Sequence, residues 1–68
     1  MQPYQQRVID EKEALDEKRF DLEKFIEHNP QFQQLPQEEQ RRLKLQANVM
    51  RDYSTILSYR IRAFNDPG

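Results

Sequence analysis

Lys44, Asn48, Arg51, Thr55, Ser58 and Arg62 follow one another at spacings of four, three, four, three and four residues. On a helix that rhythm puts all six on one face. The face carries three cations, an amide and two hydroxyls, and no acid of its own. Guanidinium forks, an ammonium and short hydrogen-bonding side chains are the donors that phosphate recognition uses. Tyr59 lies at the edge of the same stripe and offers an aromatic surface on which a base can stack. These seven residues are the candidate ligand-binding set. The competing explanation is an ordinary solvated face set against an acidic neighbour.

Nothing else in the chain suggests catalysis. There is no cysteine, and the only glycine is the terminal Gly68, so a glycine-rich phosphate loop is excluded. Ser54 and Ser58 have no histidine near them in sequence. Asp10, Glu13 and Glu17 share a helix face, but their neighbours are charged and solvated, which removes the pKa splitting that acid–base pairs need. Glu23, Glu27 and His28 nominally resemble metal ligands; a solvated helix end explains them better. We therefore expect no enzyme, no cofactor and no metal.

The stripe needs a helix to carry it, and the sequence supplies two. Pro3 suits a first turn, and no further proline or glycine intervenes before Asn29-Pro30. Tyr4, Val8, Leu15, Leu22 and Ile26 form a narrow apolar stripe there, with Phe25 beside it. Val8, Leu15 and Leu22 recur every seven residues, as in a coiled-coil seam. The expected elements are a helix over about 3–28, a loop over 29–35 and a helix over about 36–64. Phe32 and Leu35 in the connector should fold inward. Pro36 should open the second helix, with Glu38 and Glu39 complementing its positive end, and Asn65-Asp66-Pro67-Gly68 should stop it. Such a short connector returns the helices antiparallel. The fold class expected is all-α: a single-domain, two-helix hairpin over 1–68.

The second helix is apolar on two sides. Leu43, Ala47, Met50, Leu57, Ile61 and Phe64 form one stripe, flanked by Tyr53, which the first helix can cover. Leu45, Val49, Ile56 and Ala63 form another, about a third of a turn away, with no partner left in the chain. Ile9 and Phe20 are expected opposite the seam of the first helix. These six, Ile9, Phe20, Leu45, Val49, Ile56 and Ala63, are the candidate oligomer contacts. Length argues the same way: below roughly 70–80 residues a core seldom suffices without disulfides, metal or association. At 68 residues without cysteine, association is what remains, so homo-oligomeric bundling is expected.

Net charge is -1, but it is unevenly spread. Residues 1–28 hold five bases and eight acids (5 − 8 = -3), and residues 40–64 six bases and one acid (6 − 1 = +5). Opposite signs favour the antiparallel pair and leave the second helix attractive to an anionic partner. A slightly negative total, with no basic arm, argues against duplex nucleic acid. No apolar run reaches the about 18 residues of a membrane span, and Met1-Gln2-Pro3-Tyr4 does not read as a signal peptide. No membrane partner and a cytoplasmic location are expected.

Residues spread along the chain resemble a family of short bacteriophage proteins related to a small protein of crAss-like phages. They are Tyr4-Gln5, Arg7-Val8, Glu11, Leu15, Lys18, Leu22, Phe25-Ile26, Phe32, Leu35-Pro36, Glu39, Leu43, Gln46, Met50, Tyr53, Ile56-Leu57, Arg60-Ile61 and Phe64. The family carries a leucine near Arg19-Phe20, where this chain departs from it. The resemblance implies a phage accessory protein acting by stoichiometric binding in an infected bacterial host, with no established site residues to transfer. Joined to the basic stripe, it leads to the expectation of a counter-defence sponge: an oligomer that sequesters a cyclic oligonucleotide immune signal between subunits. Blocking a host defence protein with an apolar helix face, or serving as a structural oligomerisation module, are the alternatives.

Overall fold

The computed structural model describes residues 1–65, and every described element is helical. Helix α1 spans Pro3–His28, α2 Gln31–Gln34 and α3 Gln37–Ala63. Proline occupies the first position of α1, where its missing N–H costs nothing. The Gln2 backbone N–H donates to Gln5 Oε1 at 2.7 Å and holds the entry to that turn. At the other end the Asn29 N–H still reaches the Phe25 carbonyl, at 3.2 Å. Pro30 ends the run, because its ring cannot continue a helix.

The connector differs from the loop expected over 29–35. Gln31–Gln34 coil into one helical turn. Asn29 Oδ1 accepts the Gln31 N–H at 2.9 Å, a local side-chain bond that starts the turn. Its other end is held from across the bend: Gln40 Nε2 donates to the Leu35 carbonyl at 2.9 Å and to the Gln33 carbonyl at 3.3 Å. The turn has a packing purpose. It drives Phe32 inward until the ring is buried, edge-on to Phe25 with centroids 6.1 Å apart. Phe32 thereby plugs the closed end of the hairpin, while Leu35 is half-buried. Pro36 precedes α3, whose first turn carries Glu38 and Glu39 at the positive end of the dipole and whose last turn carries Arg60 and Arg62.

The two long helices lie side by side and antiparallel. Tyr4 meets Phe64 edge-on at 5.7 Å at the open end, Ser54 bonds Asp16 near the middle, and Arg51 approaches Glu23 nearer the turn. The result is a rod of 50 × 16 × 15 Å. Its buried apolar residues are Val8, Phe32, Ala47 and Leu57, with Leu57 fully enclosed at 0% exposure. Leu15, Leu22, Phe25 and Ile26 of α1, Leu43, Met50 and Ile61 of α3, and Phe64 just after it are half-buried along the same seam. Two expected seam positions are wetter: Tyr4 and Tyr53 are exposed, because a pair of helices covers only the line between them. The expected helix stop at Asp66, Pro67 and Gly68 lies outside the described residues.

Since Leu57 has neighbours on every side, Leu57→Ala should leave a cavity that the rod cannot refill. Urea unfolding should read a loss of about 2–5 kcal/mol. An unchanged midpoint would mean that the seam is packed differently.

Candidate functional site

Beside the seam, towards the closed end, α1 and α3 part to form a groove of about 240 Å³. Lys44, Asn48 and Arg51 of the polar stripe form one wall, Glu23 and Glu27 the other, with Ile26 and Ala47 also lining it. These residues meet for a simple reason. Positions 44, 48 and 51 are successive turns of α3, Glu23 and Glu27 are successive turns of α1, and the antiparallel packing of the two helices brings the two rows alongside. Lys44 Nζ stands 5.7 Å from the centroid of the Phe32 ring, so the plug of the hairpin also locates the ammonium at the groove's end.

Electrostatically the groove is mixed. Arg51 Nη2 lies 3.5 Å from Glu23 Oε2, and Arg19 Nη1 donates to Glu23 Oε1 at 2.9 Å. Glu23 thus has a cation at each oxygen. Among the described residues Glu27 has only the exposed His28, with Nε2 at 3.6 Å. The polar stripe has no acid along α3, but the fold sets two carboxylates of α1 facing it. The expected anion site is therefore lined by both signs.

The seven candidate ligand residues do not stay together. Lys44, Asn48 and Arg51 line the groove; Thr55, Ser58, Tyr59 and Arg62 continue along α3 towards its C-terminal end. Arg51 and Arg62 are separated by about 16 Å of helix at 1.5 Å per residue. Thr55 Oγ1 donates to its own helix, at the Arg51 carbonyl, 3.1 Å away. Arg62 stacks over the exposed Tyr59 ring, 5.7 Å from its centroid, making a second cationic–aromatic pair on the surface. Ser58 is half-buried. Among the described residues no cluster of metal-ligating side chains occurs.

The apolar candidates divide as well. Leu45, Val49 and Ile56 are exposed at 62%, 59% and 54%, and Ala63 is exposed beyond them. Phe20 is exposed, with the Arg19 guanidinium 4.6 Å above its ring. Ile9 does not stand out opposite the seam. It is half-buried and lines a hollow at the open end with Met1, Gln5, Ile61, Phe64 and Asn65. It sits one residue, about 100°, beyond the buried Val8, so it borders the seam it was expected to oppose.

The sequence reading missed a polar clamp. Ser54 is buried in the apolar stripe of α3, and its hydroxyl donates to Asp16 Oδ1 at 2.6 Å. Lys12 donates to Asp16 Oδ2 at 2.6 Å, and Arg19 approaches Oδ1 at 3.4 Å. Among the described residues no buried side-chain polar atom is left without a partner. The available signal was Ser54 itself, a hydroxyl at a seam position between Ala47 and Leu57, which demands a partner from the opposite helix. Partial burial pushes the Asp16 carboxyl up, and the donors Lys12, Ser54 and Arg19 outweigh it, holding the group below its ordinary range.

The family model for Sequestin matches residues 2–63. This chain belongs to the Sequestin family. No curated protein and no solved structure matches it. The match spans the helices, the connector and both walls of the groove, and the family's name points to sequestration. It does not speak to a relation with crAss-like phages.

A lowered Asp16 pKa means that its contribution to stability is present above the unfolded value, about 3.9, and is lost as pH falls through the lower folded value. Urea midpoints taken from pH 7 to pH 2 should fall in that acid range for the wild type, and Asp16→Asn should remove part of the fall. Ser54→Ala should cost about 1–3 kcal/mol at pH 7, because it takes away a hydrogen bond to a charged acceptor. Equal acid sensitivity in the wild type and Asp16→Asn would show that other carboxylates carry the effect.

Proposed function

We propose that this Sequestin-family chain is a non-enzymatic phage counter-defence protein. In the cytoplasm of an infected bacterium it sequesters a cyclic oligonucleotide immune signal in pockets shared between copies of itself. The observation that carries the reading is a combination on one helix. The groove at Lys44, Asn48 and Arg51 holds about 240 Å³, less than the roughly 300–1,000 Å³ of sites that enclose small molecules. On the same helix, Leu45, Val49 and Ile56 form an exposed apolar stripe that nothing among the described residues covers. A second copy laid on that stripe would supply further walls to the groove and remove the apolar surface from water. The family name supports a role in holding something.

A second reading has its own support: the same stripe is a rigid row of apolar anchors such as a helix uses to block a protein groove. Light scattering separates the two. Self-association predicts a mass above that of one chain at micromolar concentration, shifted to the monomer by Leu45→Asp with Ile56→Asp. A wild type that is monomeric and folded at that concentration would end the shared-pocket reading and favour a host-protein target.

Ligand binding is tested directly by calorimetry with a panel of cyclic di- and trinucleotides. We expect micromolar or tighter binding to at least one member. Arg51→Ala should weaken it at least about tenfold, the worth of one charge-assisted hydrogen bond, with helix content unchanged by circular dichroism. Heat from no member of the panel would remove the sequestration reading.

A further inference from the structure

The exposed stripe of α3 has a rhythm of its own. Leu45, Val49, Asp52, Ile56, Tyr59 and Ala63 follow at spacings of four, three, four, three and four, and all six are exposed. That is the heptad pattern of a helix that packs lengthwise against another helix. The stripe continues to Ala63, the last residue of α3. An occupant that fits it is therefore itself a long helix.

Charge decides which helix, and which way it runs. The first turn of α3 carries Glu38 and Glu39, and its last turn carries Arg60 and Arg62. A second α3 laid antiparallel sets the acidic end against the basic end at both ends of the pair, whereas a parallel one sets like against like. Asp52 gives the same answer. It is the single acid between residues 40 and 64, and it sits in the middle of the stripe. A parallel copy in register would face it with another Asp52. An antiparallel copy turned about the middle of the helix, between Met50 and Arg51, sets Leu45 against Ile56 and, in the same register, Glu39 beside Arg60.

The same two-fold turn joins the separated halves of the polar stripe. That stripe flanks the apolar one, about a third of a turn away. In a pair related by a two-fold axis the same patch of each copy meets the other, so both polar stripes line one side. Asn48 then lies across from Thr55 of the second copy, and Lys44 across from its Ser58 and Tyr59. Within one chain Lys44 and Tyr59 are about 22 Å apart along the helix at 1.5 Å per residue, too far to share a small ligand.

We propose that α3 packs antiparallel on α3 of a second copy, Leu45 against Ile56, and that the second copy's Thr55, Ser58 and Tyr59 complete the groove at Lys44, Asn48 and Arg51. This rests on the shared-pocket reading above and specifies which residues each copy contributes. The hydroxyls add neutral donors beside the ammonium and guanidinium, and the Tyr59 ring adds a flat wall.

The sequence contains no cysteine, so thiol trapping on the full chain reads the arrangement directly. Leu45→Cys and Ile56→Cys chains are mixed under reducing conditions and then oxidised. Asn48→Cys and Thr55→Cys chains are mixed and treated with a short bismaleimide, because flanking positions stay further apart than facing ones. All four positions are exposed, so circular dichroism should match the wild type. Each mixture should give a covalent dimer as its main product, and each variant alone should give little. Leu45 and its counterpart are then offset by about 16 Å along the helix, and a disulfide needs Cα atoms within about 7 Å.

A covalent dimer from Leu45→Cys alone would mean a parallel pair and overturn the proposal. A Leu45–Ile56 link without the Asn48–Thr55 link would overturn the completed groove. No link in an oligomer of wild-type mass would place the interface elsewhere and overturn the arrangement, leaving sequestration standing. No link and a monomeric wild type would overturn the shared pocket as well. Both links, with heat from no cyclic nucleotide, would uphold the antiparallel pair and remove only its ligand.

Discussion

Two helices laid side by side share one line of contact, and that line sets the character of everything else in this chain. In a rod about 16 Å across, a residue escapes water only on the line or at an end that something closes. Val8, Ala47 and Leu57 lie on it, and Phe32 closes one end. Away from that line, Leu45, Val49 and Ile56 of α3 are left to solvent, however hydrophobic. The shortage of interior is geometric, since a third helix would be needed to cover the stripe at Leu45, Val49 and Ile56.

A seam so narrow also gives its polar members unusual weight. Ser54 interrupts the apolar run of α3, and its bond to Asp16 ties the middle of one helix to the middle of the other. Lys12 and Arg19 surround the same carboxylate. Apolar side chains tolerate small slips along a seam, whereas a short directional bond to a charged group does not. The clamp therefore fixes the register, and with it the placement of Glu23 and Glu27 opposite Arg51 and Lys44. The groove's mixed charge is a consequence of the seam, reached without any residue having to be unusual in itself.

The plug at Phe32 links the fold to the groove in a second way. The helical turn Gln31–Gln34 aims the ring inward, and Lys44 rests over it. One end of the candidate site is thus held by the same side chain that ends the core. The other half of the polar stripe, around Tyr59 and Arg62, has no such anchor in the opposite helix and remains a separate cation–aromatic pair on the surface.

Read by itself, the order of residues determined the all-helical class, the two long helices, the inward turn of Phe32 and the two apolar sides of α3. Periodicity and the prolines at 3, 30 and 36 report on one helix at a time, and those features belong to single helices. It could not say that Gln31–Gln34 would coil, that Ile9 would border the seam, or that an acid-free stripe would face two carboxylates. Those outcomes depend on the rotation and register of one helix against the other, which no single-helix pattern contains. Only the packed pair decided them, because a 2.6 Å bond between residues 38 positions apart exists once the chain has folded back on itself.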